Sequence, residues 1–346
     1  MRVLVTGGAG YIGSHVVRRL KAAGHEPVVL DDLKEGHLAA VGDAAPVTRG
    51  DIGDATAIDA ALRGRPVDGV IHMAASCLVG ESMREPSRYY DNNVARTLKL
   101  LEHLERRGVR RFVFSSTAAV YGEPDPQRRG GPMAPIEEDH PCAPTNVYGE
   151  TKLAVERALS WYGRCTALRS ITLRYFNAAG ADPNGGIGED HEPETHLIPL
   201  VMRTALGRQD NVEVLGRDYP TPDGTCLRDY IHVNDLADAH VLALNALAGP
   251  QPSGTEGAMR VYNLGAEKAT SVLEVLEAAA SITGRAIPAA DGPRRPGDPA
   301  VLLASSARIR SELGWKPAVS DLSDILATAW AWHKSHPEGY PPAPKS

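Results

Sequence analysis

Tyr148 and Lys152 stand four positions apart in Tyr148-Gly-Glu-Thr-Lys152, a spacing that puts both on one face of a helix. The run that follows, Leu153-Ala-Val-Glu-Arg-Ala-Leu-Ser-Trp161, has apolar residues at helical intervals, so a helix is expected over residues 148–162. A free phenol ionises near ~10, too high for a base at neutral pH. An ammonium beside it favours the phenolate and brings it toward working range. The same pair on a solvated surface would do nothing. The setting decides, and the setting is written at the start of the chain.

Arg2-Val-Leu-Val-Thr6 is a short β-branched run, followed at once by Gly7-Gly-Ala-Gly-Tyr-Ile-Gly13 and an amphipathic stretch over 14–23 closed by Gly24. G-x-G-x-x-G between a strand and a helix is a dinucleotide loop. Gly8 is assigned the tight turn, Gly10 the close approach to a pyrophosphate, and Gly13 the helix–strand contact. The helix N-terminus offers free N–H groups to the phosphates. A second strand, Pro27-Val-Val-Leu30, ends in Asp31 and Asp32. An acid there hydrogen-bonds the adenosine ribose and repels a 2′-phosphate, which favours NAD over NADP. Asp31 takes that role, and Asp32 is equally suited to capping a loop.

Further strands are expected at 45–48, 67–72, 111–114 and 170–174, with helices between them, including 89–107 and 148–162. Alternating strands and helices imply a parallel, doubly wound α/β sheet of the Rossmann type, with ligands at the carboxyl ends of the strands. Thr117, just past the fifth strand, and Tyr148 both arrive at that edge. The Tyr–Lys pair therefore sits where a nicotinamide ring would lie.

The 346 residues carry a net charge of −6, no electrostatic footprint for nucleic acid or an anionic membrane. No window is apolar for long enough to span a bilayer, and the N-terminus has no signal pattern, so a cytoplasmic protein is expected. Cys77, Cys142, Cys165 and Cys226 make no C-x-x-C pair, and no His pair has metal-ligand spacing. The run Glu189-Asp-His-Glu192 reads as a solvated loop, and no metal is expected. The tail 337–346, rich in proline, reads as an extended, frayed end. From about residue 181 the alternation fades. Helices at 196–207, 233–248, 272–283, 305–313 and 320–336, with strands at 212–215 and 260–263, suggest a smaller mixed α/β domain. The division is then 1–180 for the cofactor domain and 181–346 for the substrate domain, with part of 228–268 returning to the first.

Further motifs follow one another along the chain: Gly7-Gly-Ala-Gly-Tyr-Ile-Gly-Ser-His15, Val79-Gly-Glu-Ser82, Tyr89-Tyr-Asp-Asn-Asn-Val94 and Ser115-Ser-Thr-Ala-Ala-Val-Tyr-Gly122. Tyr148-x-x-x-Lys152, Leu173-Arg-Tyr-Phe-Asn177 and His196-Leu-Ile-Pro199 come after them. Next come Asp218-Tyr-Pro-Thr-Pro-Asp-Gly-Thr225, Arg228-Asp-Tyr-Ile-His-Val233, Asn263-Leu-Gly265, Arg294-Arg-Pro-Gly-Asp298 and Leu313-Gly-Trp315. In this order the motifs resemble those of the extended short-chain dehydrogenase/reductases and, among them, the UDP-glucose 4-epimerase family. The Tyr–Lys motif marks only the wide superfamily, and the block from Asp218 to Val233 is far more specific.

The resemblance implies roles. Tyr148 is the base for the sugar 4-hydroxyl, Lys152 lowers its pKa and holds the nicotinamide ribose, and Thr117 hydrogen-bonds the reacting hydroxyl. NAD contacts fall on Gly7, Gly10, Tyr11, Ile12, Gly13, Asp31, Asp32, Asp51, Ile52, Ala74, Ala75, Asn92, Ser115 and Tyr175, besides Tyr148 and Lys152. The UDP-sugar falls to Thr117, Tyr148, Phe176, Asn177, His196, Leu197, Leu215, Arg228, Arg295 and Asp298, the two arginines being suited to pyrophosphate. Taken singly, Asn177 would cap a loop and Arg228 would pair with Asp229. The implied reaction passes hydride from C4 to NAD while Tyr148 takes the proton, turns the 4-keto sugar, and returns the hydride to its other face. A homodimer through the helices at 89–107 and 148–162 is implied as well.

Two departures accompany the resemblance. Cys77 replaces a Lys found near the cofactor phosphates, and aliphatic Val301-Leu-Leu303 falls where some members carry a bulky Tyr, which would admit N-acetylated sugars. Dehydratases and decarboxylases of this scaffold carry acids just after the strand-end Thr; here stand Ala118 and Ala119. A dinucleotide-binding regulator without catalysis would have lost Tyr148 or Lys152, and both are present.

Overall fold

Strands buried on both faces must be apolar on both faces, and the first sheet of the computed structural model has that construction. The structure describes residues 1–250, 259–295 and 297–341. Its strands are β1 (Arg2–Thr6), β2 (Glu26–Asp31), β3 (Val47–Arg49), β4 (Gly69–His72), β5 (Arg111–Thr117), β6 (Arg169–Tyr175) and β7 (Asn177–Ala179). Then come β8 (Val212–Leu215), β9 (Leu227–His232), β10 (Arg260–Leu264), β11 (Ala269–Ser271), β12 (Ala289–Gly292) and β13 (Val301–Leu302). Seven of them form a parallel sheet in the order β10-β6-β5-β4-β1-β2-β3.

Val3, Val5, Val29, Ile71 and Val113 face helices Tyr11–Ala22 and Val233–Ala248 through Val16, Leu20, Leu236 and Leu244. Leu4, Val28, Val70, Phe112 and Phe114 face helices Ala55–Leu62, Arg96–Arg106 and Val147–Cys165 on the other side. Each fully buried Val, Leu or Phe contributes roughly 1.5–3 kcal/mol, so this sandwich is the rigid body of the molecule. The strand order reverses between β1 and β4, which pair in register at Thr6 and His72, and a crevice opens at their carboxyl ends. Thr117 and Tyr175 are register partners at the same edge.

A second layer set stands over that edge. Strands β11-β9-β13 with β7 on β9, and the pair β12-β8, pack against helices Leu197–Ala205, Val272–Thr283 and Leu322–Ser335. Between β9 and β11 the chain runs back through helix Val233–Ala248 and β10 on the first sheet.

Several expectations change. The helix over 89–107 is interrupted: a turn at Pro86–Tyr89 passes through a π-helical stretch, Tyr90–Ala95, before Arg96–Arg106 begins. The cause is a polar residue turned inward. Asn93 accepts the Ser76 N–H at 2.9 Å and donates to the Ser76 carbonyl at 3.0 Å, and the widened turn accommodates it. β5 continues beyond residue 114 to Thr117 because β6 keeps pairing alongside it. β9 had no strand signature, since Arg228 and Asp229 sit inside it. The tail is held as far as residue 340: Tyr340 stacks on His37 at 4.7 Å and its hydroxyl meets Gly188. Residues 342–346 of that tail lie outside the described residues. No helix among the described residues is long and apolar enough to cross a membrane.

Candidate active site

The glycine loop works by exclusion of side chains. Gly7 has φ +71, and a Cβ on it would lie 2.6 Å from the Ala74 backbone nitrogen. A Cβ on Gly13 would lie 2.0 Å from the Gly7 carbonyl oxygen. The tight turn therefore belongs to Gly7, not Gly8, whose missing side chain instead lets Val29 pack close. Gly10 is different. Its Cβ would meet the protein no closer than 3.4 Å, so the space it leaves faces the cavity. Gly10 also caps helix Tyr11–Ala22 without any side-chain hydrogen bond, leaving the helix N–H groups for an anion. Asp31 steadies this loop while lining the cavity, accepting N–H bonds from Ala9 and Leu33, each at 2.9 Å. Loop capping is thus part of its role. Asp32 pairs with Lys34 at 2.6 Å, and Asp51 is bound by Arg96 and by the Gly53 N–H.

Tyr148 is fixed by the start of its helix. Asn146 caps Val147–Cys165 by accepting the Gly149 N–H at 2.8 Å, and Ser82 accepts the Tyr148 N–H at 3.2 Å. Gly149 allows that first turn to rest on β5's continuation, since a Cβ there would stand 2.5 Å from the Ala119 oxygen. Lys152 donates to the Ser115 carbonyl at 2.8 Å and lies 5.9 Å from the Tyr148 ring centre. Burial pushes the Tyr148 phenol well above its ordinary value, Tyr175 adds to this, and the Thr117 hydroxyl opposes it. Burial likewise lowers Lys152 to about 8. Burial thus outweighs the groups that favour the phenolate, with Lys152 standing beside the ring.

One cavity of about 1060 Å³ joins these groups to the second layer set. Gly7, Gly10, Tyr11, Ile12, Gly13, Asp31, Asp32, Asp51, Ile52, Ala74, Ala75 and Asn92 line one end. Thr117, Tyr148, Lys152 and Tyr175 lie among the lining residues too, with Phe176, Asn177, His196, Leu197, Leu215, Arg228, Arg295 and Asp298 completing the wall. Ser115 does not line it. Its side chain is wholly buried and bonded to His240 at 2.8 Å, so it acts on the site by anchoring Lys152 through its carbonyl. Arg228 pairs with Asp298 at 3.0 Å, not with Asp229. Burial opposes the charge on Arg228, and Asp298 together with Cys226 and Tyr230 outweighs it. Asp229 turns away to accept N–H bonds from Ala266, Glu267 and Ala304.

A family model described as the NAD dependent epimerase/dehydratase family matches residues 3–265. The UDP-glucose 4-epimerase of Halalkalibacterium halodurans is 50% identical over 340 residues, covering 98% of this chain and 98% of that protein. The chain belongs to the UDP-glucose 4-epimerase family. Among solved structures, the Brucella ovis UDP-glucose 4-epimerase in complex with NAD is 44% identical with a TM-score of 0.87, over 95% of this chain and 97% of that one. The Bifidobacterium longum UDP-glucose 4-epimerase in complex with NAD+ and UDP is 36% identical with a TM-score of 0.90, over 98% and 100%.

Within this epimerase framework the two departures are visible. Burial drives the Cys77 thiol up to about 12, so it lines the cavity as a neutral group and supplies no charge. Of Val301-Leu-Leu303, Leu302 alone lines the cavity, while Val301 and Leu303 pack on Leu227. Ala118 and Ala119 also line it, and neither can act as acid or base. Sequence reading missed the wall formed by Glu189, His191 and Glu194, all cavity-lining. The solvated-loop reading of this stretch is overturned, because the Glu194 side chain is 0% exposed and the Glu189 side chain 6%. Their offsets match neither a helix face nor a strand face, so only the density of acids and imidazoles in that stretch could have flagged them.

Proposed function

We propose that the chain catalyses the reversible 4-epimerisation of UDP-galactose and UDP-glucose, with NAD held at the glycine-loop end of the cavity and the UDP group at the arginine end. The observation that carries this reading is the position of Tyr148 and Thr117 in one cavity with the glycine loop and with Arg228, Arg295 and Asp298. Bound NAD would supply the hydride acceptor and, once reduced, the hydride donor for the return. Gly10, the uncapped helix and Asp31 fit its diphosphate and ribose. Tyr148 takes the proton of the sugar 4-hydroxyl and returns it to the same oxygen once the keto sugar has turned and its other face receives the hydride. Thr117 presents a hydroxyl that can donate and accept as the substrate oxygen changes state. Arg228 and Arg295 grip the pyrophosphate while few polar groups hold the hexose, so binding energy is spent away from the reacting carbon and the 4-keto sugar is free to turn.

Exposed Trp161, Leu98 and Tyr90, on and beside helices Val147–Cys165 and Arg96–Arg106, support a homodimer through that face. The reading places the enzyme in the cytoplasm, where NAD and UDP-sugars are found. Leu302 favours a second substrate, since a short aliphatic wall leaves room for an N-acetylated sugar. The test is incubation of the purified protein, without added NAD, with UDP-galactose, UDP-N-acetylgalactosamine, UDP-glucuronate and UDP-xylose, followed by chromatography of the products. Conversion of UDP-galactose without net NADH release is expected. Conversion of a different sugar alone would rename the substrate, and silence on all four with NAD supplied would leave only dinucleotide binding.

A further inference from the structure

Residues Glu189 to His196 run along the cavity wall beside Tyr11 and into the start of helix Leu197–Ala205, and the reaction above uses none of their acids. Four of their side chains converge. Glu189, His191, Glu194 and His196 each bring a ligand atom into a group no more than 4.8 Å across. His196 Nδ1 lies 2.9 Å from Glu194 Oε1 and 3.2 Å from Glu189 Oε1. His191 Nδ1 lies 3.5 Å from Glu189 Oε1 and 3.5 Å from Glu194 Oε2. Donors held ~2.0–2.1 Å from a tetrahedral ion stand about 3.3–3.4 Å from one another along the tetrahedron's edges. With Glu194 Oε2 as that residue's donor, the separations at 3.2, 3.5 and 3.5 Å bracket that edge, and the 2.9 Å contact is a hydrogen bond of His196 to the other Glu194 oxygen.

Unpartnered atoms separate an ion site from an ordinary salt-bridge cluster. The Glu194 side chain is fully buried, and Oε1 already accepts the Thr195 N–H at 2.7 Å and the His196 N–H at 2.8 Å. Its other oxygen, Oε2, has no hydrogen-bond partner, and neither has His191 Nδ1. Glu194 Oε2 and His191 Nδ1 stand 3.5 Å apart, facing each other across the centre of the group. Bound to a metal ion both imidazoles are neutral, and the two carboxylates then balance a divalent charge.

We propose that Glu189, His191, Glu194 and His196 form a closed four-ligand zinc site. Two imidazoles and two carboxylates suit zinc better than magnesium or calcium, which ask for more oxygens. Four protein donors leave no open position, so the ion is structural. It ties the 189–196 segment to the helix that begins at Leu197, and it sets His191, whose ring meets Tyr11 edge-on at 6.3 Å.

The full chain, purified without a histidine tag and stripped with a chelator, would be reloaded with Zn2+ or Co2+ and passed through gel filtration. One zinc per chain by mass spectrometry, a higher melting temperature than the stripped protein, and the intense visible bands of tetrahedral Co2+ are expected. Glu194→Gln should weaken binding by more than the roughly 10- to 100-fold that losing an outer-shell partner costs. His103→Ala, which removes the imidazole paired with Asp59, should change nothing. Substoichiometric zinc, the pale spectrum of octahedral Co2+, or equal binding by Glu194→Gln would overturn the site. The zinc count and cobalt spectrum use the wild-type protein and decide the matter even if a variant fails to fold.

Discussion

The glycine-loop end of the cavity is assembled from neighbours in sequence, while the arginine end is assembled across the chain. At the first end Gly7, Gly10 and Gly13 lie within one strand–turn–helix unit, and Asp31 ends the next strand. At the second, Arg228 from β9 meets Asp298 beyond β12, Leu215 ends β8, and Asn177 opens β7. A locally built end keeps its shape as long as one unit folds. A remotely built end keeps its shape only if several elements pack together, so perturbations there should appear as lost affinity and lost stability together.

The largest expected effect lies between the two ends. Tyr148→Phe should lower turnover by roughly 10²–10⁴-fold, the range of a lost general base, with NAD and UDP still bound. Turnover at the wild-type rate would remove Tyr148 from the role. Next, Arg228→Met strands the Asp298 carboxylate, and truncating one member of such a pair costs about 2–5 kcal/mol. Kinetics should show KM for the UDP-sugar rising at least about 30-fold with NAD retention unchanged, and calorimetry a lower melting temperature.

Gly13→Ala is the converse probe. Its Cβ would overlap the Gly7 oxygen, an overpacking cost of about 1–3 kcal/mol, so NAD retention should fall roughly tenfold or more while UDP binding holds. If both variants lose both ligands equally, the two ends are a single cooperative unit and the contrast fails.

The smallest effect concerns Lys152, which burial lowers from 10.5 to about 8. Its folded pKa is depressed, so between about pH 8 and 10.5 the unfolded chain holds more protons and stability rises with pH. Below about 8 both states are protonated and that contribution is lost. Melting curves of cofactor-free wild type against Lys152→Met should diverge in the wild type's favour over that window. A constant difference would mean that the ammonium is better solvated than its burial suggests.

The same contrast explains what could be read in advance. Strand periodicity and the glycine spacing give the first sheet and its loop, and the expected helix at 233–248 matches Val233–Ala248 residue for residue. The π-helical stretch Tyr90–Ala95 was hidden because its cause, Asn93 bonding Ser76, is a tertiary contact. β9 was hidden because its charges are satisfied from elsewhere: Arg228 by Asp298, and Asp229 by three backbone N–H groups. The buried state of Glu194 was illegible for the same reason, since local sequence shows a carboxylate but not the wall that covers it. Ser115 was expected just past the strand end; it lies inside β5, and its direction, inward to His240, depends on a helix far along the chain.

The chain passes between the first sheet and the second layer set at least three times: from β6 into β7, from β9 into helix Val233–Ala248, and from β10 into β11. At the second crossing His232 ends the strand and Val233 begins the helix, with no linker between them. Bodies joined by one flexible linker swing apart readily, whereas short stitches at several points act as a seam. Stitching at several points opposes a swing of one layer set away from the other, so a bound dinucleotide would leave by the loosening of small wall segments, with slow release as the expected signature.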